Sequence, residues 1–315
     1  MKKKAIIISI ANYFLSNKEK KMIKDGNPWG VILFKRNIKS FNQTKKLIDN
    51  IKRCSNDKKF PILIDEEGGN VCRMSNFLDN RIYSQNFFGS IYKKDKILAK
   101  YLYKNYIFSL SAVFHLLGIN INTVPVLDLI KKKTHKIIGN RSYGSNSEII
   151  KDLGIYSIKE YKKNKIGNVI KHIPGHGSAL ADSHKKLPIV TANYKSLKKL
   201  DFECFKNVNS QFAMTAHILY KKIDPIHPAT HSSKIIKNII RKKIKFKGIL
   251  ISDDISMKAL KHDLVTNAKL SLNAGCNLVL YCGGNYKESN KLLNELPTID
   301  KFTAKKTSEF YRFLS

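Results

Sequence analysis

The sequence has few cysteines, few arginines and no long apolar run, and each shortage excludes a class of protein. Its five cysteines are scattered, odd in number and without a Cys-x-x-Cys pair, which argues against a disulfide framework or a zinc ribbon and favours a reducing cytoplasm. No apolar run reaches the ~18 residues that a membrane span needs, so we expect a soluble protein with no membrane partner. The run after the lysines at 2–4 is interrupted by Asn12, with no small-residue cleavage site beyond it. It therefore predicts a first β-strand and not a signal peptide.

Acidic residues are also scarce, and the formal net charge of +34 suggests a nucleic-acid partner at first sight. However, the basic residues are 51 lysines against 7 arginines, and they are spread over the whole chain. Arginine is the residue preferred for bidentate contacts with bases and phosphates. We therefore interpret the charge as a compositional bias that gives solvated lysine faces, and we expect no specific nucleic-acid partner.

Short apolar segments alternate with polar, lysine-rich segments along the chain. The apolar ones predict strands at 5–10, 30–34, 61–65, 121–127, 167–172, 211–216, 248–252 and 277–281. The polar ones predict helices that include 44–52, 94–117, 147–163, 196–208, 232–243, 264–273 and 286–293. Eight strands alternating with helices are typical of a (β/α)8 TIM-type barrel, and no Gly-x-Gly-x-x-Gly or phosphate loop favours a doubly wound sheet. We expect residues 1–315 to form this single α/β domain.

The segment at 171–177, Lys-His-Ile-Pro-Gly-His-Gly, concentrates chemistry directly after the fifth predicted strand, and Asp182, Ser183 and His184 follow it closely. An isolated histidine there would be best explained as part of a surface turn. Several histidines beside an acid allow acid–base chemistry. They also leave open a metal site made by His172, His176, Asp182 and His184, since imidazole and carboxylate suit zinc or iron.

Two adjacent carboxylates, Asp253 and Asp254, end the seventh predicted strand, where α/β barrels keep their catalytic groups. One of the pair is expected to cap a helix that begins near Ser256, because aspartate accepts hydrogen bonds from free helical N–H groups. The other carboxylate is then available for chemistry.

Further polar residues follow other predicted strands. Each has an ordinary explanation when taken alone: a turn at Gly68-Gly69, a cap at Asp128, a surface ion pair at Arg141 and a satisfied core histidine at His217. Together they lie around one face of the predicted barrel, which indicates a common site.

Six motifs in order make the chain resemble the bacterial β-N-acetylglucosaminidases of glycoside hydrolase family 3. They are Asp65-x-Glu67-Gly68-Gly69-x-Val71-x-Arg73, the segment at 125–128, Gly139-x-Arg141-Ser142-Tyr143-Gly144, the histidine segment with Asp182-Ser183-His184, the segment at 213–217 and Ser252-Asp253-Asp254-x-Ser256-Met257. The resemblance extends from about residue 5 to residue 284. It is similar to the short, cytosolic enzymes of peptidoglycan recycling.

This resemblance implies a retaining hydrolysis in which Asp253 forms a covalent glycosyl-enzyme and His184, supported by Asp182, is the general acid/base. It also implies that the sugar is bound by Asp65, Arg73, Arg141, Lys171 and His172. The dyad departs from the usual pair of carboxylates. No cofactor is expected, and the expected partner is a muropeptide that contains N-acetylglucosamine, bound by a monomer.

Small departures from the family pattern occur at Glu66, Tyr143 and Ile173, where many members have Gln, Phe and Phe. None of them removes a proposed catalytic group. Two alternatives stay open at this stage: the metal-dependent barrel hydrolase described above, and a basic binding protein on an inactive barrel.

Overall fold

A computed structural model describes residues 2–131, 138–179, 181–183 and 185–315. Eight parallel strands form a closed barrel: β1 Lys4–Ile8, β2 Pro28–Leu33, β3 Ile62–Ile64, β4 Ile121–Asn122, β5 Gly167–Ile173, β7 Phe212–Thr215, β9 Ile249–Asp254 and β10 Leu278–Tyr281. Their order around the barrel is β1-β10-β9-β7-β5-β4-β3-β2. A separate parallel pair is formed by β6 Ile189–Val190 and β8 Leu219–Tyr220. The prediction of a (β/α)8 TIM-type barrel is confirmed.

Helices surround the barrel. They are α1 Asn17–Gly26, α2 Phe41–Ser55, α3 Gln85–Lys94, α4 Lys96–Leu117, α5 Ser147–Lys163, α6 Tyr194–Lys199, α7 Leu264–Ala274, α8 Tyr286–Glu295 and α9 Lys301–Leu314, with a π-helix at Ile235–Lys243. Short 3-10 turns lie at Lys35–Asn37, Gly139–Arg141, Phe202–Phe205 and Ala229–His231. No helix within the described residues is long and apolar enough to cross a membrane.

The strands are apolar almost throughout because both of their faces are buried. Alternate residues of a strand point to opposite faces, so Ile7 lies in the cluster inside the barrel while Ile6 and Ile8 pack outward against the helices. Helix α9 closes the amino-terminal end of the barrel: Phe310 contacts Phe212 with ring centroids 5.2 Å apart. The candidate site lies at the opposite, carboxyl end of the barrel.

Three sequence predictions about elements are wrong in part. The strand expected at 121–127 ends at Asn122, because Pro125 has no N–H to donate to a neighbouring strand. The helix expected at 196–208 is broken into α6 and the turn Phe202–Phe205. Between these two, the buried Asp201 carboxylate accepts hydrogen bonds from Ser178 N and Ser178 Oγ.

The helix expected to begin near Ser256 begins at Leu264 instead, where Asp263 is its N-cap. Asp254 cannot cap it, because its carboxylate is used locally: Oδ1 accepts from Ser256 N and Cys282 N, each at 3.1 Å, and Oδ2 accepts from Ser256 Oγ at 2.7 Å. Asp254 therefore ties the end of β9 to the end of β10.

Candidate active site

The loops after β3 and β4 and the end of strand β5 bring five charged side chains into one ion-pair network at the carboxyl end of the barrel. Lys171 Nζ pairs with both Asp65 and Glu67 and is only 2% exposed. Arg73 Nη2 lies 2.6 Å from Asp65 Oδ2. Arg141 binds Glu67 through two contacts, Nε to Oε2 at 2.7 Å and Nη2 to Oε1 at 2.9 Å. Three cations thus surround two carboxylates, which fixes each group before any ligand enters.

This network keeps Asp65 ionised. Burial alone would raise its pKa, but the charges of Lys171, Arg73 and Arg141 hold the pKa of that carboxyl well below its usual value. Thr123 Oγ1 also donates to Asp65 Oδ1 at 2.5 Å. Asp65 therefore presents an anionic acceptor to the site at all ordinary pH values.

The neighbouring Glu66 serves the loop and not the network. Its Oε2 accepts from the backbone N–H of Arg73 at 2.7 Å and from that of Met74 at 3.0 Å. These bonds close the loop that follows β3 and place Arg73 above Asp65. The carboxylate of Glu66, a position where many family members have Gln, therefore stabilises this loop.

Asp128 orients the His172 ring at the end of β5 and holds the backbone of the loop that follows it. Its Oδ2 lies 2.6 Å from His172 Nδ1, and its Oδ1 accepts from His176 N at 2.7 Å. Despite full burial, the neighbouring imidazoles and these hydrogen bonds lower the pKa of Asp128. Asp128 is thus not the helix cap that its position in the sequence suggested. A fixed carboxylate on Nδ1 holds the His172 ring in one orientation, as carboxylate–histidine pairs do in metal and triad sites.

Two glycines let this loop fold tightly beneath the site. A Cβ at Gly177 would lie 2.0 Å from the carbonyl oxygen of Leu129, and a Cβ at Gly175 would lie 2.8 Å from Asp201 Cβ, at a φ of 138°. Any larger residue would push the loop away from the strand that carries His172. Gly175 and Gly177 are therefore required by the packing of this loop.

His176 lies in the same loop and lines the site. Burial lowers its pKa to about 4, so the ring is neutral near pH 7. Its Nδ1 is buried and has no hydrogen-bond partner among the described residues.

Asp253 and Asp254 stand at the carboxyl end of β9 and face this network across the barrel. The Asp254 N–H donates to Asp253 Oδ1 at 2.8 Å, which orients the Asp253 carboxylate. Burial raises the pKa of Asp254 above its ordinary value, and the charge of Asp253 adds to this.

The loop that follows β5 reaches the same region. Ser183 is buried, and its carbonyl oxygen accepts from Ala259 N at 3.2 Å, which joins this loop to the turn after β9. Asp182 is partly buried, and His184 lies outside the described residues. The predicted pairing of Asp182 with His184 stays a prediction.

One cavity of about 130 Å³ joins these parts. All five predicted sugar-binding residues and the predicted nucleophile line it, namely Asp65, Arg73, Arg141, Lys171, His172 and Asp253. Its apolar wall is provided by Ile32, Phe34, Ile138, Met214, Met257 and Leu280. Such a mixture of apolar wall and fixed polar groups suits a sugar ring, which has apolar faces and hydroxyls at its rim.

Comparison with known proteins identifies the family. Residues 4–306 match the model of the "Glycosyl hydrolase family 3 N terminal domain". The chain belongs to glycosyl hydrolase family 3. This confirms the resemblance seen in the motifs and makes the protein a glycosidase.

Curated relatives in this family include a beta-hexosaminidase of Methylobacillus flagellatus, 30% identical over 92% of this chain and 83% of the relative. A beta-hexosaminidase of Neisseria meningitidis is 33% identical over 88% of this chain and 77% of the relative. Among solved structures, NagZ from Neisseria gonorrhoeae in complex with N-trifluoroacetyl-D-glucosamine has a TM-score of 0.88 and 29% identity, covering 98% of this chain and 90% of that one. The same protein in complex with zinc ion has a TM-score of 0.87 and 28% identity, with the same coverage.

Of the metal site considered from the sequence, His172, His176 and Asp182 lie within the described residues and His184 does not. Within 2–131, 138–179, 181–183 and 185–315, no three His, Cys, Asp or Glu side chains converge as metal ligands. His172 Nδ1 is already held by Asp128, and the His172 and His176 rings are 5.8 Å apart between centroids.

Sequence reasoning missed the roles of Glu67, Asp128 and Thr123. Glu67 belongs to the first of the six motifs, and its spacing of two residues from Asp65 was the available signal. Two acids at one strand end indicate that cations lie between them. Asp128 ends the segment at 125–128 and could have been matched to the histidines of the next loop. Thr123 gave no signal beyond its place at a strand end.

Proposed function

We propose that this β-N-acetylhexosaminidase removes terminal β-linked N-acetylglucosamine from peptidoglycan-derived muropeptides, with retention of configuration at the anomeric carbon. The observation that carries the proposal is the shared cavity, in which Asp253 meets the ion-pair network of Asp65, Arg73, Arg141 and Lys171. The glucosamine derivative bound by the similar Neisseria gonorrhoeae NagZ supports an N-acyl glucosamine as the sugar.

In the first step, an oxygen of Asp253 attacks the anomeric carbon while the bond to the leaving oxygen breaks. That oxygen takes a proton from the imidazolium of His184, so the aglycone leaves as a neutral alcohol. The family resemblance assigns this role to His184, with Asp182 raising its proton affinity. The product of the step is a glycosyl ester on Asp253 and a neutral imidazole.

In the second step, the neutral His184 takes a proton from water, and the hydroxide oxygen attacks the anomeric carbon. The ester bond breaks and Asp253 leaves as a carboxylate, which restores both groups. Two displacements at one carbon give net retention.

The ion-pair network supplies recognition in this scheme. Asp65 is an acceptor for sugar hydroxyls, while Arg73, Arg141 and Lys171 are donors, and His172 is held toward the cavity by Asp128. Because the groups bind one another beforehand, little side-chain freedom is lost when the sugar enters.

The decisive experiment is hydrolysis of a chromogenic aryl N-acetyl-β-glucosaminide, with and without a metal chelator. We expect release of the aryl group, with the β-anomer of N-acetylglucosamine as first product and no effect of the chelator. The zinc-bound form of Neisseria gonorrhoeae NagZ gives the metal alternative its specific test. Activity that is lost with chelator and restored by zinc would overturn the proposal in favour of metal chemistry.

We further propose that residues 1–315 act as one domain, as a cytoplasmic monomer without a nucleic-acid or membrane partner. Sequence-specific recognition of nucleic acid is not expected, because the lysines are dispersed along the chain. Binding to random duplex DNA should be weak and should vanish as salt rises toward ~0.2 M, whereas sugar turnover should hardly change. Sequence-specific binding that survives this salt would contradict the proposal.

A further inference from the structure

His217 is a buried histidine that the proposed mechanism does not use. It follows β7 and is 0% exposed. Its Nε2 lies 2.9 Å from the carbonyl oxygen of Asp254, and its Nδ1 lies 2.7 Å from Thr230 Oγ1. Both ring nitrogens are therefore hydrogen-bonded, and the partner of Nε2 is the residue next to the proposed nucleophile.

The hydrogen-bond partners settle which nitrogen carries the proton. A backbone carbonyl can only accept, so Nε2 must be the N–H donor. Burial lowers the pKa of His217, so the ring is neutral and Nδ1 is an acceptor for the Thr230 hydroxyl. Thr215 Oγ1 lies 2.8 Å from Thr230 Oγ1 and completes a chain of hydrogen bonds that begins at β7.

These hydrogen bonds reach the nucleophile through Asp254. His217 Nε2–H donates to the carbonyl oxygen of Asp254, and the backbone N–H of Asp254 donates to Asp253 Oδ1 at 2.8 Å. On the other side, Cys282 N holds Asp254 Oδ1 at 3.1 Å, and Ile255 N donates to the carbonyl of Leu280 at 2.9 Å. The backbone after Asp253 is thus held from β7 on one side and from β10 on the other.

We propose that His217, held in its Nε2–H form by Thr230, is a positioning residue that sets the attack geometry of Asp253 through the Asp254 backbone. The proposal rests on the assignment of Asp253 as nucleophile. Displacement of a reacting group by about 1 Å can cost about 100-fold in rate, so loss of this hydrogen bond should act on the attack and not on sugar binding.

The test is the rate of covalent labelling of Asp253 by a slow fluorinated N-acetylglucosaminide, followed by mass spectrometry and separated into a binding constant and a maximal labelling rate. In His217→Leu we expect the maximal rate to fall about 100-fold with the binding constant unchanged. His217→Gln, whose amide can donate near the Nε2 position, should keep most of the rate, whereas His217→Asn should not. The exposed His227 on the same segment gives the matched control His227→Leu, which should label like the unaltered protein.

Thr230 gives a second pair that avoids replacing the ring. Thr230→Val removes the hydroxyl at constant shape and should slow labelling, while Thr230→Ser keeps the hydroxyl and should restore it. Equal labelling rates in Gln and Asn variants, or in Val and Ser variants, would overturn the positioning role. Absence of any adduct on Asp253 in the unaltered protein would instead overturn the proposed mechanism, so the two failures are distinguishable.

Discussion

The carboxylates on the two sides of the cavity are held by different kinds of partner. On the side formed by the loops after β3 and β4 and by the end of β5, which we call the recognition side, carboxylates and cations are paired with one another, as in Lys171 with Asp65 and Glu67. On the side formed by the end of β9, the hydrolytic side, Asp254 is held by the neutral donors Ser256 and Cys282 N. Ion pairing lowers the pKa of Asp65, whereas burial raises that of Asp254.

The difference indicates a division of labour. A neutral sugar can be bound by charges that neutralise each other, because each charged group still offers hydrogen bonds. The backbone N–H of Asp254 lies 2.8 Å from Asp253 Oδ1 and orients the proposed nucleophile without adding a formal charge.

The largest effect should come from the nucleophile. Asp253→Asn should lower turnover by about 10⁴-fold or more, because no covalent ester can form. Asp254→Asn is the matched control, since an amide oxygen can still accept from Ser256 and Cys282 N, and it should retain much more activity. Steady-state hydrolysis of the aryl glycoside measures both. Near-normal turnover by Asp253→Asn would show that Asp253 is not the nucleophile.

The next effect should come from the acid/base pair. His184→Ala or Asp182→Asn should reduce hydrolysis of a natural disaccharide by about 10²- to 10⁴-fold, the usual contribution of general acid catalysis. An activated aryl glycoside should suffer far less at the first step, because its leaving group departs without a proton. Added azide should rescue the second step of His184→Ala as an external nucleophile. An equal loss with all leaving groups would show a binding or structural role for His184.

On the recognition side, the strongest effect should be on stability. Lys171→Met would remove the cation between Asp65 and Glu67 and leave each carboxylate paired with one arginine only, and we expect the free energy of unfolding to fall by as much as about 3–5 kcal/mol. The exposed pair Lys269 and Glu295, with Nζ and Oε2 2.9 Å apart, gives the control Lys269→Met, which should leave stability unchanged within error. Chemical denaturation compares the two. A Lys171→Met protein as stable as the unaltered one would show that the buried network is no more valuable than a surface pair.

Much of this arrangement could be predicted from the sequence, and the failures have identifiable causes. The barrel followed from short, wholly apolar segments, and Asp65, Arg141 and Asp253 followed from motifs that are local in the chain. The role of Glu67 depends on Lys171, more than 100 residues away, and that of Asp128 depends on His172. Helix α9 was not predicted, although its Phe310 fills the barrel end, because that contact joins distant parts of the chain.

The smallest effect expected concerns pH and the recognition side. His176 has a pKa of about 4 in the folded protein against 6.5 as its ordinary value, because it is buried. Between these pH values the unfolded chain binds a proton that the folded chain does not. The free energy of unfolding should therefore fall as pH decreases from 6.5 to 4, by about 3 kcal/mol for this group, with no further change from it below pH 4.

The variant His176→Asn should flatten this part of the stability curve without abolishing it, because burial also lowers the pKa of His231 to about 4. His227→Asn, at an exposed position, should follow the unaltered protein. Denaturation midpoints measured at several pH values between 4 and 7 give the comparison. Parallel curves for His176→Asn and the unaltered protein would mean that the folded state accommodates the charged imidazole, most directly beside the Asp128 carboxylate. The recognition side would then tolerate an added positive charge that its three paired cations are expected to oppose.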